Sequence, residues 1–256
     1  MNTLPINAIK EIYKKTDIHA LDAFINRFQE DDRAGVKYLV DCSRKKIQAY
    51  NQELDRMSRM RLYEQKYDHL DFICGIDEVG RGPLAGPVVT AAVILEKDTK
   101  LLYINDSKKL SEKMREMLYH QIMDEAIAVS IGIESVETID TINILQATYK
   151  AMQKAVNGLE VQPDILLVDA VTIPDIDIKQ HAIIKGDEKS ISIAAASIIA
   201  KVTRDRMMKD YHELFPAYDF DKNKGYGSST HIEAIKKVGP CFIHRKSFIK
   251  NFILTP

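Results

Sequence analysis

FICGIDEVGRGPLAGPVVTAAVIL, residues 72–95, joins two apolar runs of strand length, FICGI (72–76) and VVTAAVIL (88–95), through a segment that opens on two acids and carries three glycines and two prolines. Short apolar runs of strand length read as candidate sheet strands. Working outward, three more runs of this kind follow: AVSIGI (128–133), DILLV (164–168) and the weaker HAIIK (181–185). Helical segments separate them: Ser111 to about Ala126, Thr138 to Leu159 ending at Asn157-Gly158, Ser190 to Leu214, and Thr230 to Val238 stopped by Gly239-Pro240. Five candidate strands alternating with helices predict an α/β fold, a mixed five-stranded sheet flanked by helices.

Upstream of residue 71 nothing reads as a strand. Pro5 suits a first helical turn, and Ile6, Ile9, Ile12 and Tyr13, then Leu21, Phe24, Ile25 and Phe28, keep helical spacing. From Val36 to about Tyr67 apolar residues recur at helical intervals with basic residues such as Arg44, Lys45, Arg56 and Arg59 between them, and Gly and Pro are nearly absent. This predicts one helix running unbroken toward the next domain, its charges forming a solvated face or a phosphate-contacting one. The expected organisation is a helical extension over 1–70 and a catalytic-sized α/β domain over 71–256.

Composition narrows the function classes. The 256 residues are 45% hydrophobic, enough for one substantial core. A formal net charge of −1 excludes a strongly basic whole-chain footprint, so a nucleic-acid site must be a local patch. Residues 201–250 are the candidate, since Lys and Arg outnumber Asp and Glu there by roughly two to one. Cys42, Cys74 and Cys241 lie far apart and form no C-x-x-C pair, which argues against a disulfide framework and a zinc site and fits a reducing cytosol. The apolar runs are about half the length of roughly 20 residues that a bilayer crossing needs, and the first residues lack the apolar core of a signal peptide. A soluble, cytoplasmic chain is expected.

The chemistry concentrates in carboxylates. In a regular strand Asp77 and Glu78 point to opposite faces, so both serve one site only if the backbone leaves the extended form there. Asp169 follows DILLV at the carboxyl end of a strand, where open α/β sheets gather functional side chains, though a cap or turn role is equally open to an aspartate. Asp187, in KGDE (185–188) ahead of a small-residue helix, is either a capping acid or a site residue. Four carboxylates brought together repel one another unless divalent cations neutralise them, and their oxygens are the ligands Mg²⁺ and Mn²⁺ prefer.

Seven ordered motifs, DEVGRGPLAGPV from Asp77, NDSKKL (105–110), VDA (168–170), KGD (185–187), IAAASIIAKVTRD (193–205), KGYGS (224–228) and HRKSF (244–248), resemble bacterial ribonuclease HII, a type 2 ribonuclease H, from about residue 72 to 250. The resemblance implies a ribonuclease H-like fold and an endonuclease acting on RNA–DNA hybrids and on single ribonucleotides in duplex DNA. It implies Asp77, Glu78, Asp169 and Asp187 as the catalytic and metal-binding set for Mn²⁺ or Mg²⁺. Two ions about 4 Å apart suit in-line phosphodiester hydrolysis, leaving 5′-phosphate and 3′-hydroxyl ends. On the same resemblance Asp77 bridges both ions, Glu78 and Asp169 complete the inner set, and Asp187 is the outer or substrate-dependent ligand.

Discrimination of RNA from DNA requires a reader of the 2′-hydroxyl. The resemblance assigns this to Gly80, Arg81 and Gly82, with Tyr226 packing against the deoxy side of an RNA-to-DNA junction. Ser107, Lys108, Asn143 and Arg245 lie where the family contacts nucleic acid. His231 and His244 read as structural, and Lys201, Arg204, Asp205 and Arg206 as a charged helix end with Asp205 an ion-pair partner. A monomer with no membrane contact is expected. Rival readings are a ribonuclease HIII-like nuclease, a junction nuclease of the same fold, and a non-catalytic hybrid-binding protein. Arg81 between two glycines, a helical rather than sheet-containing extension, and four intact acids argue against them.

Overall fold

A computed structural model describes residues 4–251 of the chain. It divides into two compact units, Met1–Arg59 and Met60–Pro256. The first contains α1 (Ile6–Lys15), α2 (Leu21–Phe28) and most of α3 (Ala34–Met60). The apolar stripes read from the sequence close on one another here: Ile9, Phe24, Ile25, Phe28, Val36, Leu39 and Val40 form one buried cluster.

The helix expected to run unbroken from Val36 to Tyr67 is interrupted at Arg61, whose backbone leaves helical geometry before the short α4 (Leu62–Lys66). Arg61 instead donates from its guanidinium to the carbonyls of Lys97 and Thr99. Tyr63, Tyr67 and Leu70 pack with Ile73, Ile165, Leu167 and Ile193, which explains why the division falls ahead of the boundary expected at residue 70.

The second unit continues with β1 (Ile73–Val79), β2 (Val88–Leu95), α5 (Glu112–Glu125), β3 (Ala126–Glu134), α6 (Val136–Asn157), β4 (Ile165–Asp169), β5 (Gln180–Ile183), α7 (Ile191–Leu214), α8 (Phe220–Asn223), α9 (Ser229–Val238) and α10 (Lys246–Ile249). All five candidate strands form, in the order β3-β2-β1-β4-β5. β1, β2 and β3 pair antiparallel, whereas β4 and β5 add in parallel. The helices start where the sequence places hydroxyls: Ser111, Ser135 and Ser190 each accept a backbone N–H of the first turn. Among the described residues no helix is long and apolar enough to cross a membrane.

Strand alternation sorts the core. Cys74 and Ile76 of β1 and Leu166 and Val168 of β4 pack with Met152, Ala155 and Val156 of α6. Ile73, Ile165 and Leu167 pack with Ile193 of α7 on the other face. Gly75 sets how closely α7 lies on β1, because a Cβ there would come within 2.0 Å of the Ser192 backbone. Burial pushes the thiol of Cys74, enclosed in the α6-side core, up to about 12.

Candidate active site

The site grows from the parallel pairing of β1 and β4. Their register ends at Ile76 opposite Val168, and the next residue on each strand is an acid, Asp77 and Asp169. By alternation both sit on the α7 face. Glu78, one position on, has the opposite parity, and the backbone does not leave the extended form as the sequence reading required. β1 stays paired to β2 through Val79, with Glu78 opposite Thr90. The two acids reach one site because β1 outruns β4: past Ile76 it is hydrogen-bonded on the β2 side only, and Glu78 comes within electrostatic reach of Asp169.

Asp77 is buried. The Ser197 hydroxyl on α7 and the Glu78 N–H, at 2.7 Å, donate to its carboxylate. Burial first, then the charges of Glu78 and Asp169, push its carboxyl well above the usual range. Burial and Asp169 push Glu78 up as well, against the pull of Arg81 and Lys108. The fourth acid arrives on a turn. Lys185 adopts a left-handed backbone (φ 57°), the Gly186 N–H donates to Asp169 Oδ1 at 2.7 Å, and Asp187 follows, buried. Burial, with Asp106 and Asp169 beside it, raises Asp187 to about 6. It does not cap α7; Ser190 does.

The cleft in front of these acids has a volume of about 400 Å³ and is lined by Asp77, Glu78, Ser107, Lys108, Lys201 and Tyr226, among others. Burial opposes the charge on Lys108, but Asp106, Asp77 and Asp187 together hold its ammonium above the ordinary range. Negative charge exceeds what Lys108 and Arg81 offset, and this donor set fits a divalent cation. The carboxylates nevertheless stand apart: among the described residues, the set of three ligand-type side chains with donor atoms all within 4.8 Å of one another is His212, Asp219 and Asp221, not these four.

The other expected contacts divide. Gly80 (φ 95°), Arg81 and Gly82 form the loop beyond β1, with Arg81 and Gly82 exposed. Tyr226 is 43% exposed, and its ring lies 3.8 Å from where a Cβ on Gly82 would sit. Lys108 is exposed, whereas Ser107 is buried, its hydroxyl 3.0 Å from that of Ser197, so it ties the 105–110 turn to α7 rather than facing solvent. Asn143 (φ 69°) kinks α6, which the sequence reading took as a single helix, and its side chain accepts from the Leu145 and Gln146 N–H groups.

Arg245 is not a surface contact. Its side chain is fully buried and donates only to backbone carbonyls, including those of Arg81 and Gly86. Arg204 is likewise no part of a charged helix end: α7 continues to Leu214, and Arg204 is 0% exposed. Lys201 pairs with Asp205 at 2.6 Å, and Arg206 with Glu116. His231 and His244 are buried, 3.0 Å apart through their Nε2 atoms. Burial and the charge of its neighbour push His244 down to about 4. Ser197 escaped the sequence reading because a serine among alanines and isoleucines reads as helix packing; its spacing from the Ser190 cap was the available signal.

The family model for Ribonuclease HII matches residues 74–251, and that for the Ribonuclease HII N-terminal domain matches 5–68. The chain is 55% identical to ribonuclease HII of Lachnoclostridium phytofermentans over 95% of this chain and 97% of that one. It is 51% identical to the Bacillus subtilis ribonuclease HII over 97% of each. Among solved structures, ribonuclease HII of Archaeoglobus fulgidus, determined in complex with PCNA, superposes with a TM-score of 0.61 at 28% identity, covering 72% of this chain and 98% of that one. Ribonuclease H2 of Pyrococcus horikoshii OT3 gives 0.57 at 25% identity, covering 72% of this chain and all of that one. With the α/β unit and the helical unit each matched by a model of the same family, the chain belongs to the ribonuclease HII family.

Proposed function

We propose that the chain is a ribonuclease H that hydrolyses the RNA strand of RNA–DNA hybrids and cuts on the 5′ side of single ribonucleotides in duplex DNA, leaving 5′-phosphate and 3′-hydroxyl ends. The observation that carries this reading is the meeting of Asp77 and Asp169 at the ends of adjacent parallel strands, with Asp187 delivered beside them by the Gly186 N–H bond to Asp169. Asp77, Glu78, Asp169 and Asp187 would hold two divalent cations, Mn²⁺ or Mg²⁺, which supply Lewis acidity toward the scissile phosphodiester.

The chain's own groups do the rest. Ser197 and the Glu78 N–H fix the Asp77 carboxylate. Lys108, exposed beside the acids, offers an ammonium to a substrate phosphate. The Gly80–Gly82 backbone, free of side-chain bulk at two of three positions, approaches the ribose closely enough to read its 2′-hydroxyl. Tyr226 supplies a flat face to the adjoining deoxynucleotide. Three free cysteines suit a reducing cytosol.

The test is cleavage of end-labelled duplex DNA carrying one ribonucleotide, beside an all-DNA duplex, with Mg²⁺, Mn²⁺ or chelator. A metal-dependent cut 5′ to the ribonucleotide by the wild type, lost in Asp77→Asn, is expected. Cutting confined to long hybrids would remove the single-ribonucleotide specificity, and no cutting of either substrate would overturn the nuclease reading.

A further inference from the structure

Two arginines lie fully buried behind the glycine loop, and neither guanidinium hydrogen-bonds a carboxylate; Asp205 and Asp140 favour the charge on Arg204 and Arg245 only from a distance. Arg204 donates to the carbonyls of Pro87 (2.9 Å), Lys224 (2.9 Å) and Ala85 (3.0 Å). Arg245 donates to those of Arg81 (2.9 Å), Gly86 (3.0 and 2.8 Å) and Gly80. Burial lowers Arg204 to about 10 and Arg245 to about 9, both still charged at neutral pH. Burying a charge hydrogen-bonded only to carbonyls is costly, and an apolar residue would fill the same space without that cost. The guanidinium forks therefore do something packing does not.

What they do follows from peptide geometry. In a planar trans peptide the C=O and N–H point in opposite directions. Arg245 draws the carbonyls of Gly80 and Arg81 inward, so the N–H groups of the same two peptides, those of Arg81 and Gly82, are turned outward. Arg81 and Gly82 are exposed, and neither N–H has a hydrogen-bond partner within the protein among the described residues. Two adjacent unpaired donors face outward beside the Tyr226 ring. Arg204 grips the far arm of the loop and, through Lys224, the turn that carries Tyr226.

We propose that Arg245 and Arg204 are positioning residues for ribose selection: Arg245 aims the Arg81 and Gly82 N–H groups at the ribonucleotide, and Arg204 fixes the spacing between that loop and Tyr226. This rests on the reading of Gly80–Gly82 as the sugar reader. Charge alone does not suffice for it, because a lysine ammonium cannot span the diverging carbonyls that the planar fork reaches.

The experiment compares wild type, Arg245→Lys and Arg204→Lys on the single-ribonucleotide duplex and its all-DNA counterpart, per active site and with Mn²⁺ affinity measured separately. Each Lys variant is expected to lose about ten- to a hundredfold in ribo-over-deoxy selectivity, with Mn²⁺ affinity unchanged. Folded variants with wild-type selectivity, or selectivity and Mn²⁺ affinity lost together, would overturn the proposal. A second measurement needs no variant: in chelator, the ¹⁵N-labelled wild-type amides of Arg81 and Gly82 should shift with the ribonucleotide-containing duplex and not with all-DNA. Identical shifts with both duplexes would sink the inference. A wild type that does not select ribonucleotides at all would instead remove the functional reading beneath it.

Discussion

The Gly186 N–H donates to Asp169 Oδ1 at 2.7 Å, so the turn that carries Asp187 is fastened to another carboxylate of the same cluster. Each of the four acids Asp77, Glu78, Asp169 and Asp187 lies within electrostatic reach of another, and the cost of that proximity has measurable consequences.

Asp77 is held above the usual carboxylate range by burial and by its acidic neighbours, so ionising it opposes folding. The unfolded chain gives up this proton first, and the penalty grows as pH rises above the unfolded value. Asp77→Asn should therefore be more stable than wild type without metal, by more at pH 8 than at pH 5. Thermal unfolding in chelator at the two pH values checks this; a less stable variant at pH 8 would mean that the carboxylate is needed by the scaffold.

Asp187, raised to about 6 from an unfolded value near 3.8, binds a proton in the folded protein across that interval. Its contribution to metal-free stability falls as pH climbs from about 4 to 6, and a cation must displace the proton. Calorimetric Mg²⁺ or Mn²⁺ titration at pH 5.5, in buffers of different ionisation enthalpy, should show proton release that diminishes in Asp187→Asn. Equal release by both proteins would place the displaced proton elsewhere.

Tyr226 touches no carboxylate of the cluster by any hydrogen bond described, and its ring lies beside Gly82. Tyr226→Ala should weaken cleavage at an RNA-to-DNA junction by about ten- to a hundredfold, the worth of one base or sugar stack, and leave Mn²⁺ affinity within error. Parallel loss of both would assign the ring to the scaffold.

His244 is buried against His231 and pushed down to about 4. The unfolded chain takes a proton near 6.5 and the folded one does not until about 4, so stability is full above that interval and is lost as pH falls through it, by at most about 3 kcal/mol. His244→Gln should flatten this acid limb between pH 6.5 and 4, measured by urea unfolding. An unchanged slope would move the dependence to another group.

The sheet was legible because each strand is an apolar run of strand length, and the starts of α5 and α7 because Ser111 and Ser190 stand at their caps; α6 and α9 start earlier than Thr138 and Thr230, at the caps Ser135 and Ser228. Asp77 and Asp169 were legible because they end such runs. Glu78 was legible only through the family resemblance, since strand alternation sends it to the opposite face from Asp77 while β1 runs past its pairing with β4. Arg204 and Arg245 were misread because charge normally marks a surface, and their partners are backbone carbonyls that no side-chain pattern reveals. The break at Arg61 was hidden as well, since the carbonyls its guanidinium meets, those of Lys97 and Thr99, are remote in sequence.

The burial of Cys74 bears on how the protein can be labelled. A thiol with no solvent contact and a proton affinity raised to about 12 offers almost no thiolate to a maleimide at neutral pH. Cys241 is held back as well, its thiol raised by burial and lodged 3.2 Å from His244. Cys42, on α3, is only half-buried, so maleimide labelling of the native chain is expected to fall first on the helical unit, with no cysteine removed from the catalytic one.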